Sequence, residues 1–291
     1  MSGDIPHPPS PPIPPPPPCL TPPKLTRQTT YVPQISDRDD VKQTFYNRLK
    51  KNVLRRDGNK VLVSVNQEVA PVLQDGPCCG LVAVVMAAKM YGVELTLDDL
   101  FTAARDKGFT KQGEMFSAQN MRTLVEDFIS CITVTSLDMT IDDGTLVQYL
   151  VKGGTCLIPY DSDFNHEPCN KRGHKAHWAL LTGIGLVIDR CVCDSLTGGD
   201  GYVFTGSYET IMNHNLVNYA EEILVYGLHG KSQYPGVWSL SSLISSNRNL
   251  IEVDPNRLQD EIGYVLPSEG IESTLCGKAL VLFGECYPLK A

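Results

Sequence analysis

Cys79 and His177 are the residues of this chain whose types and settings suit nucleophilic chemistry. A thiol attacks as its thiolate. It needs a base within hydrogen-bond reach and a third group to orient that base. Cys79 stands where Leu73-Gln74-Asp75-Gly76-Pro77-Cys78-Cys79-Gly80 runs into Leu81 to Tyr91, a stretch apolar nearly all round. That pattern predicts a helix buried in a core and stopped by Gly92. The Gly-Pro loop before it sets a sharp entry and places Cys79 in the first helical turn. Unpaired amides and the helix dipole favour an anion there. Gln74 lies close enough upstream to fold back beside the thiol. Its side-chain amide, with the Cys79 backbone amide, would form an oxyanion hole. Cys78 is incidental to this scheme, because Cys79 alone precedes Gly80 and keeps the spacing from Gln74.

The base is expected at His177, within Gly173-His174-Lys175-Ala176-His177-Trp178-Ala179-Leu180-Leu181-Thr182-Gly183. His177 opens a strand, so it projects from a sheet towards the helix start. His174, in the preceding loop, is its rival. The orienting carboxylate is expected at Asp194 in Cys193-Asp194-Ser195-Leu196, at the end of the next strand, where it would accept the imidazole N–H. Asp189 reads as a turn residue between the two strands. Met115, Phe116 and Trp178 are candidates to line the substrate cleft, and Lys171, Arg172 and Lys175 to form a basic subsite beside His177.

The elements that must position these groups follow from periodicity. Asp37 to Arg56 predicts an amphipathic helix with Val41, Phe45, Leu49 and Val53 inward and Arg48, Lys50, Lys51, Arg55 and Arg56 around them. Val61 to Val65 is a short strand. Thr96 to Arg105 and Ser117 to Ile129 are helices, with Thr96 as a cap. Cys131 to Ser136 is a strand and Ile141 to Lys152 a helix. From Gly154 the pattern turns to short β-branched strands: Thr155 to Tyr160, His177 to Val187, Arg190 to Asp194, Glu222 to Tyr226 and Lys278 to Phe283. Val237 to Ser246 is a late helix. Helices first and an antiparallel sheet second is an α+β layout. Residues 1–35 form a disordered proline-rich head and residues 36–291 one domain.

The chain has 291 residues, enough for a sizeable core, and a net charge of −8, which disfavours nucleic acid or an anionic membrane as main partner. No apolar run reaches the roughly 20 residues of a membrane span, and the N-terminus lacks the apolar core of a signal peptide. A cytoplasmic location follows. The ten cysteines are then expected as reduced thiols. Cys191-x-Cys193 with Cys169 and His166 fits no common zinc module, so neither metal nor cofactor is expected. Pro14 to Pro18 is an unbroken run that adopts polyproline II and suits an aromatic groove. Few basic residues flank it, which favours a profilin-type groove over SH3 domains.

Gln-x-x-x-x-Cys-Gly before a buried helix resembles the papain-like thiol peptidases, in particular the branch with the bacteriocin-processing double-glycine peptidases. His-Trp followed by a small-apolar strand and Gly resembles their histidine motif. With Gly173 to Gly183 and the proline-rich head, most of the chain resembles the actin maturation protease family. That resemblance implies a papain-like fold and a cytosolic thiol aminopeptidase. It implies removal of the N-acetylated first residue, Met or Cys, from immature actin. It also implies profilin as the partner of the Pro14 to Pro18 run. Actin's next residues are acidic, which is the reason to look for a basic subsite. The alternatives are a thiol peptidase acting on ubiquitin-like or other protein tails, and an inactive profilin-binding adaptor.

Overall fold

The computed structural model describes residues 35–54, 59–140, 144–192, 202–259 and 263–284. The proline-rich head with Pro14 to Pro18, and Asp194, lie outside the described residues.

The first half is mainly helical. Helix α1 (Ile35–Leu54) is followed by strand β1 (Lys60–Asn66), then by α2 (Cys79–Met90), α3 (Leu97–Asp106) and α4 (Ala118–Phe128). After β2 (Ile132–Asp138) and α5 (Gly144–Val151) come β3 (Thr155–Asp161), β4 (Ala176–Asp189) and β5 (Val203–Thr205). The chain ends with α6 (Tyr208–Asn213), β6 (Glu222–Leu228), β7 (Gly236–Ser239), α7 (Leu240–Asn247), α8 (Gly270–Thr274) and β8 (Lys278–Gly284). Thr96 and Ser117 cap α3 and α4 by accepting the Asp99 and Asn120 amides, as their residue types predict.

One sheet of eight strands runs through the molecule in the order β2-β8-β3-β4-β1-β5, with β6 on β4 and β7 on β6. Strand β4 is its spine. Residues 176–181 pair with β3 and residues 183–189 with β1, while β6 pairs across residues 180–187. Strands β3 and β1 therefore share one edge of β4 end to end. The chain passes between them at Thr182, beside a register shift in the β4–β6 ladder. Gly183 stands at this junction because a Cβ there would lie 2.2 Å from the Val65 carbonyl oxygen. The sheet is antiparallel except for the β1–β5 pair.

Alternation along the strands divides the core into two layers. Leu157, Leu180, Leu280 and Leu282 pack against α2, α3 and α4. Their neighbours Cys156, Ile158, Leu181 and Val281 pack in the opposite cluster with α5, α6 and α7. Helix α2 is buried from Gly80 through Ala88 and again at Met90, so it is a core element whose stability comes from packing. Helix α1 lies on the outside of β1, with Phe45 meeting Tyr226 edge-on at 4.9 Å.

This is the α+β layout expected, with three differences. Strands β1 and β2 come from the helical first half but join the same sheet. The late helix starts only at Leu240, because Gly236 to Ser239 pair with β6. Residues 190–192 are helical rather than a strand, so the β-hairpin expected after His177 does not form there. Strand β4 instead continues to Asp189.

Candidate active site

Helix α2 begins at Cys79, with Cys78 as its cap residue. Gly80 lets this helix start press into its surroundings: a Cβ would lie 3.2 Å from Met115 Cβ and 3.2 Å from Trp178 Cδ1. The two thiols diverge in environment. Cys78 is buried and donates to the Asp75 carbonyl at 3.0 Å. Burial and the neighbouring Cys79 push its pKa up to about 11, which leaves it an inert thiol. Cys79 is partly buried and lines a cleft of about 520 Å³. Burial alone would raise its pKa, but the charge and hydrogen bond of His177, with the Trp178 backbone, hold it below the ordinary thiol value.

His177 opens β4 and is 7% exposed. Burial would lower its pKa, but the charge and hydrogen bond of Cys79 and the His229 carbonyl bring it above the ordinary imidazole value. The shifts run in opposite directions, each favouring the charged form, which is the sense that a thiolate–imidazolium pair requires. Its Nε2 lies 2.7 Å from the His229 carbonyl oxygen. A carbonyl only accepts, so Nε2 carries a proton and donates it. That fixes the tautomer and leaves Nδ1 as the nitrogen for the thiol. Tyr160, opposite His177 across the β3–β4 pair, holds the ring edge-on at 5.7 Å.

The orienting acceptor thus comes from β6, which pairs with β4 and delivers His229 immediately after Leu228. Asp194 was expected in that role at the end of a neighbouring strand. Asp194 lies outside the described residues, and Asp189 ion-pairs with Lys60 at 2.7 Å at the far end of β4. A main-chain acceptor leaves no side-chain signature, which is why sequence reasoning passed over it. His174, the rival base, is bound to Glu252 at 3.0 Å.

Gln74 lines the same cleft as Cys79 and His177. Its backbone donates to the Gly230 carbonyl at 2.7 Å and its Nε2 to the Gly76 carbonyl at 2.9 Å. The second amide hydrogen is available to a ligand oxygen, and Oε1 is buried without a hydrogen-bond partner. Met115, Phe116 and Trp178 also line the cleft. Trp178 Nε1 donates to the Met115 carbonyl at 2.8 Å, tying the strand to the loop before α4. That loop is built around Glu114, which is buried and accepts from Thr110 Oγ1, Lys111 N, Gln112 N and Val265 N at 2.7–2.9 Å. Buried Asp161 does the same for the other rim, accepting the amides of Lys171, Gly173 and Lys175.

Of the three cations expected near His177, Lys175 lines the cleft. Lys171 lies over Phe164 at 5.4 Å. Arg172 is engaged by Glu252 through both Nε and an Nη atom, so it belongs to the outer surface. Lys231 and Arg257 line the cleft instead. Both were missed because loops that follow β6 and α7 carry them there, and no local pattern marks such a rim.

Residues 69–185 match the family model described as actin maturation protease-like, C-terminal domain. The chain is 35% identical over 275 residues to the actin maturation protease of Xenopus tropicalis, covering 91% of this chain and 88% of that protein. It is 39% identical to that of Danio rerio (75% and 73%) and 35% identical to that of Homo sapiens (86% and 73%). Among solved structures it is similar to a double glycine motif protease from an AMS/PCAT transporter in complex with the leader peptide. That match has 13% identity and a TM-score of 0.32, over 75% of this chain and 94% of that one. The peptidase domain of Streptococcus ComA matches at 12% identity and a TM-score of 0.28, over 56% and 98%. At 35–39% identity over most of its length, the chain belongs to the actin maturation protease family.

Proposed function

We propose that this chain is a thiol aminopeptidase that removes the N-acetylated first residue, Met or Cys, from immature actin. The observation that carries the reading is the Cys79–His177 pair at the start of α2, with the His229 carbonyl on the other imidazole nitrogen. Cys79 attacks the carbonyl carbon of the first residue. Gln74 and the Cys79 amide receive the oxyanion, and the His177 imidazolium protonates the departing actin amine. The acetylated residue is then held as a thioester. His177, now neutral, takes a proton from water, and the hydroxide releases the acid and regenerates the thiolate.

An acetylated terminus has no charge to grip, so recognition of the first residue is apolar. Met115, Phe116 and Trp178, with Ala176, supply that wall. Lys175, Lys231 and Arg257 supply positive charge for acidic residues that follow. They offset the overall acidity of the chain only locally, which is where a substrate would meet them. The Pro14 to Pro18 run would recruit profilin and deliver its bound actin. No helix among the described residues is long and apolar enough to cross a membrane.

Mass spectrometry of an N-acetyl-Met actin peptide, and of intact actin with and without profilin, tests this reading. Loss of the acetylated residue should depend on Cys79 and His177 but not on Cys78. Intact actin left uncut while Cys79 reacts normally with iodoacetamide would refute the substrate.

A further inference from the structure

Three histidines meet beside the nucleophile. His166 comes from the loop between β3 and β4, His177 from the start of β4 and His229 from the end of β6. One ligating nitrogen from each ring lies within 4.8 Å of the other two. The rings of His166 and His229 stack at 5.2 Å, and those of His166 and His177 stand 5.4 Å apart. The mechanism above uses the ring of one of the three.

His166 is the unexplained member. Its φ of +61° lies in the left-handed region, which costs a non-glycine residue about 1 kcal/mol or more. The loop holds it there. Asp163 Oδ1 accepts the amides of Asn165 and Glu167 at 2.7 and 2.9 Å, and Tyr160 Oη donates to the His166 carbonyl at 2.9 Å. These bonds account for the turn but not for a histidine in it, since glycine or asparagine suits that backbone better. The His166 Nδ1 is also buried without a hydrogen-bond partner. A strained residue with an orphaned ring nitrogen, stacked on one imidazole and tilted against a second, is a poor packing solution and a plausible ligand set.

We propose that His166, His177 and His229 bind a zinc-class divalent cation that holds the peptidase off. Imidazole nitrogens suit zinc, and three of them with one open position make a stable tetrahedral site. Ligating nitrogens about 2.0–2.1 Å from zinc stand roughly 3.4 Å from one another, so the rings need close by only about an ångström. An ion held on the His177 ring bars that imidazole from accepting and returning the reaction proton. Where the pair is ionised, binding therefore expels the imidazolium proton to solvent. The Cys79 thiolate, one hydrogen bond from His177, becomes the fourth ligand. Catalysis and metal binding are mutually exclusive, and a chelator restores activity. The inhibitory consequence rests on the role proposed for His177, whereas the binding itself does not.

The test is calorimetric titration of zinc chloride into Cys79→Ala protein, in which binding to the nucleophile's thiol is absent. One ion per chain is expected, at micromolar affinity or tighter. His166→Gly and His229→Ala in that background should each weaken binding by at least about tenfold. Glycine accepts the backbone of residue 166 without strain, so this variant keeps the fold. Absence of binding at submillimolar zinc, or affinity unchanged by His166→Gly, would overturn the site. In protein with Cys79 intact, zinc should inhibit reversibly, and His166→Gly should raise the inhibitory concentration by a similar factor. Equal inhibition with and without His166 would point to the thiol alone and sink the switch. Tight zinc binding in a chain that cleaves no acetylated peptide even with chelator would leave the site standing and remove the function proposed above.

Discussion

Gln74→Ala separates generation of the nucleophile from stabilisation of the oxyanion. In the structure the Gln74 amide gives one hydrogen to the Gly76 carbonyl and has a second for the cleft, while Oε1 is buried and unpartnered. Truncation loses one ordinary hydrogen bond, about 1 kcal/mol, and relieves one unsatisfied acceptor of about the same size. Folding stability should therefore change by less than about 1 kcal/mol. The oxyanion loses a donor that acts only in the transition state, which costs roughly 2.7–4 kcal/mol, or about 100- to 1,000-fold in kcat. Cys79 and His177 do not depend on Gln74 for their pairing. Alkylation of Cys79 by iodoacetamide should keep its rate and pH profile. The assay is turnover of an acetylated peptide beside alkylation kinetics and a denaturant melt on the same preparation. A fall in kcat of less than about tenfold, or a loss that tracks slower alkylation or unfolding, would refute the oxyanion role.

The opposite shifts of Cys79 and His177 predict a bell-shaped pH dependence of kcat/KM. The acid limb follows protonation of the thiolate below the ordinary thiol value, and the alkaline limb follows loss of the imidazolium above the ordinary imidazole value. Removing the imidazolium leaves burial as the dominant influence on Cys79, so His177→Ala should move alkylation to alkaline pH; an unmoved profile would show that the two do not form a pair. Cys78→Ala should leave turnover within about threefold, because a thiol pushed up to about 11 supplies no nucleophile at neutral pH; a loss comparable to Cys79→Ala would reverse that assignment. Glu114→Ala strands four donors around a buried site and should cost about 3 kcal/mol in a urea melt. A change below about 1 kcal/mol would mean that water replaces the carboxylate. Lys231→Glu should raise KM severalfold for peptides acidic after the first residue and reduce the salt dependence of binding. Equal effects on neutral peptides would place Lys231 outside the subsite.

Much of the candidate site was legible because its parts are local. An apolar run after Gly-Pro-Cys-Cys-Gly admits few outcomes other than a buried helix with a thiol at its start, and a His-Trp pair opening an apolar run places the imidazole at a strand end. Capping residues, most helices and most strands follow from the same short-range rules. The order of strands does not. Periodicity showed that β1 and β4 were strands but not that β1 would follow β3 along one edge of β4, where Gly183 admits the Val65 carbonyl. Groups contributed across the sheet were equally hidden. The acceptor for His177 is the carbonyl of a residue 52 positions away, and a backbone oxygen has no letter in a sequence. Arg172 looked like a cleft cation until Glu252, distant in the chain, claimed it, while Lys231 and Arg257 came to the cleft on loops without pattern. The sequence alone determined which residues carry reactive atoms and what backbone most segments adopt, because those are largely short-range matters of chemistry and sterics. Tertiary structure decided which polar groups face one another, because that depends on sheet register and loop closure over long separations.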